Sequence, residues 1–324
     1  MLGYLTVARG GWRARLIRAG AMSTVLATLA ACGSSAATGK PKPSPSPTPS
    51  FNPVYGLDYG PWTQGDAPGP AVPDSRIETQ LTLLKGRTQW IKIGGSTGGT
   101  EDVPKIAHGM GFKVAATAFI NGNKAFDDAE VAELEKNVRA GYVDLAMVGN
   151  EAVHDGFMKA APLAALITQV KQDLGGKVPV STIEPAKEMI ANPNLVQSDD
   201  LVVANITPFS YQVPESKAMA WITDEYSKVQ AASGGKEVRI GETEWPSDGG
   251  TFGPGVVADQ ATQVKFMTEV TAWSRQNHVG AFIFEAFDEP WLSHADSSFG
   301  PHWGLWTSAG TLKPGLDALF AKGS

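Results

Sequence analysis

The stretch Val143-Asp144-Leu145-Ala146-Met147-Val148-Gly149-Asn150-Glu151 decides how this chain is read. Five of the six residues from Val143 to Val148 are apolar. An alternating strand would leave one face to water, whereas a continuous apolar run buries both, as in a parallel strand covered by helices. The run breaks at Gly149 and delivers an amide and an acid at its tip. In α/β folds, polar side chains at the C-terminal ends of strands are where chemistry is placed.

Seven further β-rich runs follow, most of them continuously apolar: Val54–Tyr59, Gln89–Ile93, Lys113–Phe119, Val178–Thr182, Leu201–Ile206, Val238–Glu242 and Val279–Phe284. Helical stretches fall between them. Asp127–Ala140 opens with acids and stops at Gly141, matching the helix dipole and a glycine C-cap. Ala160–Leu174 stops at Gly175-Gly176, Ser216–Ala232 stops near Gly234-Gly235, and Asp259–Gln276 carries Val264, Met267 and Thr271 at helical spacing. Eight strands alternating with helices predict a (β/α)8 TIM barrel that closes as the eighth strand meets the first. The rival is an open doubly wound sheet, which places a glycine-rich phosphate loop after its first strand. Here that strand runs into Gly60-Pro61-Trp62. The glycine-rich run Gly94–Gly99 follows the second strand and lacks a P-loop lysine, so it reads as a flexible loop at the rim.

The N-terminal part has a different composition. Residues 1–31 contain Arg9, Arg13, Arg15 and Arg18 and no acid, followed by a mostly apolar run from Ala19 to Ala31. This is a secretory signal layout, too short to span a bilayer as a helix. It ends Leu29-Ala30-Ala31-Cys32-Gly33, which resembles a bacterial lipobox and implies acylation of Cys32. Residues 32–51 then form a Pro/Ser-rich linker, with proline at every second position from Pro41 to Pro49. Such a chain stays extended and solvated. One domain is expected over 52–324, held outside the cytoplasm by a lipid anchor in the cell membrane, with plain secretion as the alternative. Cys32 is the one cysteine of 324 residues, so no intrachain disulfide can form.

The chain holds 27 basic and 33 acidic side chains; setting aside the four arginines of the leader leaves 23 against 33, a formal charge of −10. An acidic protein repels phosphate backbones, so nucleic acid is not an expected partner. His108, His154, His278, His294 and His302 show no metal-ligand spacing, and no serine nucleophile elbow is present. No metal or cofactor is expected, and the chain is read as a monomer.

Acids cluster where the strands end: Asp58, Glu151, Glu184, Glu242 with Glu244, then Glu285, Asp288 and Glu289. A pair of carboxyls can break a glycosidic bond, one giving a proton to the departing oxygen and one attacking the sugar carbon. In retaining enzymes the pair stands roughly 5–5.5 Å apart.

Specific motifs sharpen this reading. Val148-Gly149-Asn150-Glu151 resembles the acid/base motif of the large retaining clan of barrel glycosidases. Glu242-Thr243-Glu244-Trp245-Pro246-Ser247 resembles the nucleophile motif of glycoside hydrolase family 17, the β-1,3-glucanases and related transglycosylases. Gly56-Leu57-Asp58-Tyr59-Gly60-Pro61 is similar to that family's first strand. Phe284-Glu285-Ala286-Phe287-Asp288-Glu289-Pro290-Trp291 with His302-Trp303-Gly304-Leu305 is similar to its strand-eight region. The resemblance implies Glu151 as acid/base, Glu242 as nucleophile, and Asn150 as a hydrogen-bond donor to a sugar hydroxyl. Glu285 and Glu289 match polar positions near the site, where they bind sugar or hold the loop. Glu244 stands where the family has glycine and is expected to face solvent. Thr207 replaces a common histidine, and Leu292 a frequent lysine.

Sugar rings pack their C–H faces on aromatic side chains. Tyr59, Trp62, Phe209, Tyr211, Trp245, Trp291, Trp303 and Trp306 all follow or end expected strands. Tyr59, Tyr211 and Trp245 are the first candidates for sugar platforms, with Trp291 beside Glu289. His302 is tied to the site only as a possible brace. The expected function is retaining hydrolysis of a β-1,3-glucan polysaccharide or oligosaccharide. The alternatives are transglycosylation by the same pair, or a non-catalytic glucan-binding surface lipoprotein.

Overall fold

The computed structural model describes residues 54–294 and 298–320. The expected leader, the Pro/Ser-rich linker and Cys32 lie outside the described residues. Among those described, no helix is long and apolar enough to cross a membrane.

Eight parallel strands close into a barrel: β1 (Val54–Asp58), β2 (Thr88–Ile93), β3 (Lys113–Ala118), β4 (Leu145–Asn150), β5 (Val180–Pro185), β6 (Val202–Asn205), β7 (Val238–Glu244) and β10 (Ala281–Phe284). Each strand pairs with its sequence neighbour, and β10 returns to β1 through Gly56↔Phe282 and Leu57↔Ile283. All eight are the strands expected from the apolar runs, and the open-sheet alternative is excluded by closure. Strands β4, β5 and β7 reach two or three residues further than their apolar runs, because the polar tips still pair: Asn150 opposes Ile183, and Glu244 opposes Phe284.

Eight helices lie among the described residues: α1 (Asp74–Leu84), α2 (Val103–Gly109), α3 (Lys124–Arg139), α4 (Ala160–Leu174), α5 (Ala186–Ala191), α6 (Pro193–Ser198), α7 (Glu215–Ala232) and α8 (Gln260–Asn277). The four long ones match expectation. The long helices close as their sequences dictate: Asn123 accepts the N–H groups of Ala125 and Phe126 to cap α3, and Gly175 ends α4 in the left-handed region. A two-stranded antiparallel hairpin, β8 (Gly250–Gly253) with β9 (Val256–Ala258), extends the loop after β7.

Two apolar layers result. The outer one fills the space between strands and helices. The inner one fills the barrel with Tyr55, Trp90, Leu145, Met147, Ile183, Val203 and Phe282. Gly56 makes room for this filling, since a Cβ there would stand 2.3 Å from the Phe282 ring. Near the start of the strands, the Arg239 guanidinium lies over Trp90 at 5.3 Å and over Tyr55 at 5.9 Å. The barrel is therefore plugged at its N-terminal end, and polar side chains gather at the opposite mouth.

The Gly94–Gly99 run departs from its expected role as a flexible loop. Glu130 of α3, fully buried, accepts the N–H of Ser96 at 2.7 Å, of Thr97 at 2.9 Å and of Phe119 at 2.8 Å. Glu101 accepts the N–H groups of Gly98 at 2.9 Å and Gly99 at 2.8 Å. Two internal carboxylates thus occupy the amides that the sequence leaves open, and they fix the loop in place.

Candidate active site

Two bulges aim the key acids. Between Met147↔Ser181 and Asn150↔Ile183, β4 advances three residues while β5 advances two. Between Ile240↔Ala281 and Thr243↔Ile283, β7 advances three residues while β10 advances two. An extra residue bends the strand and redirects the side chains beside it. Asn150-Glu151 and Gly241-Glu242 each sit at such a point. Glu151 adopts the left-handed region with φ 55°, which costs a non-glycine residue on the order of 1–3 kcal/mol. Its backbone is pinned from both sides: its N–H donates to Ile183 O at 2.8 Å, and its carbonyl accepts from Asp155 N–H at 2.8 Å. Glu184 secures the same turn by accepting the N–H groups of Val153 at 2.7 Å and His154 at 3.1 Å. Burial drives the Glu184 carboxyl up to about 8 against those two donors, with the charge of Glu151 adding to the rise.

The side chains then converge. Oε1 of Glu242 receives Lys92 Nζ at 3.0 Å and Asn150 Nδ2 at 3.1 Å. Lys92 Nζ also donates to Asp58 Oδ2 at 2.9 Å. On the other side, Asn205 Nδ2 donates to Glu151 Oε1 at 2.9 Å and to Asn150 Oδ1 at 3.3 Å. Glu151, Asn150 and Glu242 are thus joined in one hydrogen-bonded chain. Asn150 gives its amide to Glu242 itself, where a sugar hydroxyl was the expected acceptor.

Burial drives Asp58 up to about 8, with Lys92 opposing and Glu242 adding. Burial pulls Lys92 toward neutrality, but Asp58 and Glu242 outweigh it and hold the ammonium above the ordinary lysine range. One ammonium faces two buried carboxylates here, which favours the protonated form of Asp58.

Lys92, Asp58 and Asn205 extend the expected set. Lys92 had a signal in the sequence, since a lysine inside Trp90-Ile91-Lys92-Ile93 interrupts an otherwise buried run, and buried lysines are rare unless paired. Asp58 was visible as an acid at a strand end but had no assigned role. Asn205 carried no signal, because an uncharged amide at the end of β6 gains meaning only from strand register.

Other expected site residues are placed differently. Trp245 is fully buried, its indole N–H donates to Val257 O at 2.8 Å, and its ring packs on Phe209 and Phe266. It is core and cannot present a face to sugar. Tyr59 is likewise buried and donates its hydroxyl to Gln80, so it too is withdrawn as a platform. Both sit where a ring cluster centred on Phe209, with Phe252, Phe299 and Trp303, or the α1 helix claims the aromatic face. Glu244 is buried and accepts a hydrogen bond from Ser210, which corrects its expected solvent position. Tyr211 is 38% exposed, backed by Trp221 at 5.3 Å and by Lys187. Trp291 is half-buried and donates its indole N–H to Glu289 Oε2 at 2.9 Å, so Glu289 holds this loop. Burial raises Glu289 to about 8. Glu285 is buried close to Glu289, Asp288 and Asp58; burial, then those three charges, push its carboxyl well up. His302 acts as the expected brace through its backbone: its carbonyl accepts the Ser247 N–H at 2.9 Å.

Among the described residues, the ligand atoms of Glu151, His154 and Asp155 lie within 4.8 Å of one another, as a bound cation would need. Transfer of a glycosyl group by two carboxyls calls for none.

The closed parallel barrel and the acids gathered at its mouth fit a glycoside hydrolase of the barrel type. Residues 56–304 match the model of the BtgE/BtgC glycoside hydrolase domain, and the chain belongs to this family, within the β-1,3-glucanase family 17. A glucan 1,3-β-glucosidase of Candida albicans is 28% identical over 276 residues, covering 76% of this chain and 87% of the relative. The crystal structure of a family 17 β-1,3-glucanosyltransferase from Rhizomucor miehei superposes with a TM-score of 0.72 at 26% identity, covering 81% of this chain and 96% of that one. An active-site mutant of the same transferase, in complex with laminaritriose, superposes equally well, with a TM-score of 0.72.

Proposed function

We propose that this protein cleaves β-1,3-glucan by a retaining double displacement, with Glu242 as nucleophile and Glu151 as acid/base. The observation that carries this reading is the division of labour at Glu242: Lys92 and Asn150 both donate to Oε1, which leaves Oε2 for attack. In the first half, Glu151 gives its proton to the glycosidic oxygen. The C1–O bond breaks while Oε2 of Glu242 bonds to C1, and the leaving glucan departs with that proton. In the second half, the Glu151 carboxylate takes a proton from water. The water oxygen bonds to C1, and Glu242 is released as carboxylate. Two inversions leave the anomeric configuration retained. Lys92 favours each state in which Glu242 bears negative charge, at the start of the cycle and at release.

The names of the relatives support the substrate class, β-1,3-linked glucan. Resemblance to the Rhizomucor transferase along 96% of its length favours a second reading, transfer to a glucan hydroxyl in place of water. Incubation with laminari-oligosaccharides separates the two, because products longer than the substrate arise only by transfer. Glu242→Ala should abolish activity while the fold survives. Glu151→Ala should keep more activity on substrates with good leaving groups, and azide should then yield a glycosyl azide of retained configuration. Full activity in either variant would remove the assignment. We further propose that Cys32 carries a lipid that holds the enzyme at an extracytoplasmic membrane surface.

A further inference from the structure

We infer that Asn205 is the positioning residue that fixes which oxygen of Glu151 carries the proton; this rests on Glu151 being the acid/base. The argument begins at Glu242. An ionised carboxylate only accepts hydrogen bonds. Asn150, 3.1 Å from Glu242 Oε1, must therefore present its NH2 there. Its carbonyl oxygen then faces Asn205 and can only accept. Asn205, 3.3 Å away, must present its own NH2. The second hydrogen of that NH2 points to Glu151 Oε1 at 2.9 Å. Two amides thus carry the charge state of the nucleophile, as a direction of hydrogen bonding, to the acid on the other strand.

The consequence for Glu151 is chemical. An oxygen that receives an N–H cannot aim an O–H at the same donor. The carbonyl oxygen of a carboxylic acid accepts more strongly than its hydroxyl oxygen, so the N–H favours Oε1 as the carbonyl oxygen and Oε2 as the one that carries the proton. The same oxygen gives the proton to the leaving group in the first half-reaction and takes one from water in the second. Without Asn205 the proton could sit on either oxygen, and part of the population would face the wrong way.

The seat of Asn205 is built for this orientation. The residue is 1% exposed at the tip of β6. Its Oδ1 has no donor among the described residues. That oxygen is turned toward Gly241, where a Cβ would lie 2.7 Å away. A flipped amide would place Oδ1 against two acceptors, Asn150 Oδ1 and Glu151 Oε1. Glycine before the nucleophile is thus the space that lets Asn205 stay in place.

The test compares aryl β-laminaribiosides carrying poor and good leaving groups, read as kcat/KM across pH. In Asn205→Ala, the phenyl substrate should lose about 5- to 12-fold, the loss of one hydrogen bond that orients the protonated acid. The dinitrophenyl substrate, which needs little protonation, should lose less than about 3-fold. The basic limb of the profile should move up by about one pH unit, because the Glu151 carboxylate loses a donor. Asn205→Ser provides the same comparison if the alanine variant does not fold. Asn205→Asp, measured beside it, should lose more at pH 8 than at pH 5, where the new carboxyl can itself be protonated and donate. Equal loss on both substrates with an unmoved basic limb, or no loss at all, overturns the inference. Glu151→Ala is run in parallel. If it shows no leaving-group dependence, the acid/base reading itself has failed; if it alone shows that dependence, only the role of Asn205 has failed.

Discussion

The ammonium of Lys92 lies 3.0 Å from Glu242 Oε1 and 2.9 Å from Asp58 Oδ2, so one buried cation bridges β1 and β7 across the barrel mouth. Its own side chain is 1% exposed. Replacing it by an isosteric apolar group leaves two carboxyls facing each other without a counter-charge. Lys92→Met should lower kcat/KM on laminari-oligosaccharides by about 100-fold or more. Stability should fall by about 3–5 kcal/mol at pH 8, since a broken buried pair leaves an uncompensated charge. At pH 5 Asp58, raised to about 8 by burial, is protonated and the loss should be smaller. Urea unfolding at the two pH values checks the difference, and an equal loss at both would contradict it.

The folded protein should weaken as the medium becomes alkaline. Asp58, Glu184 and Glu289 each rise to about 8, burial being the first cause in all three. Their unfolded values lie near 4. Between these limits the folded state binds more protons than the unfolded one, so stability falls as pH rises. The contribution is complete below about 4 and is lost as pH passes through about 8. Urea midpoints should decline from pH 5 to pH 9. Glu289→Gln, which keeps an acceptor for the Trp291 indole, should make that decline shallower. A midpoint that climbs over this range would refute the assignment.

Trp245 and Tyr211 should respond to truncation in opposite ways. Trp245→Ala opens a cavity within a ring cluster and should cost about 3–5 kcal/mol of stability. Tyr211→Ala removes a partly exposed ring and should cost less than about 1 kcal/mol. If Tyr211 is a sugar platform, its loss should raise KM for longer oligosaccharides about 10-fold, by analogy with truncated aromatic contacts elsewhere. Thermal melts and KM as a function of chain length distinguish the two.

Anchoring is tested through Cys32. In a host with lipoprotein processing, the native chain should partition with membranes and Cys32→Ala should appear in the soluble fraction. Labelling with a radioactive fatty acid should mark the first and not the second. Retention of the variant on membranes would argue against acylation.

Most of the barrel was legible because its strands are buried on both faces, and burial writes itself as unbroken apolar runs such as Leu145–Val148. Helix ends at Gly175 and near Gly234 were equally plain. The short helices α5 and α6 were not, since six residues each, separated at Pro193, give no periodicity to count. Glu151, Asn150 and Glu242 could be singled out because they stand at strand tips, and the structure joins them through hydrogen bonds. The aromatic residues misled for a physical reason: a ring after a strand can face the cleft or the neighbouring loop, and Trp245 and Tyr59 face inward. Asn205 required the register of β6 against β5 and β7, which no local pattern encodes.

Glu130 and Glu101 give the glycine-rich rim a property opposite to its composition. Their carboxylates already satisfy the amides of Ser96 to Gly99. The N–H groups of these four residues are thus engaged within the protein itself. A backbone run that its glycine content would leave loose is thereby tied down by two side chains of the same chain, and these amides are not on offer to an anion.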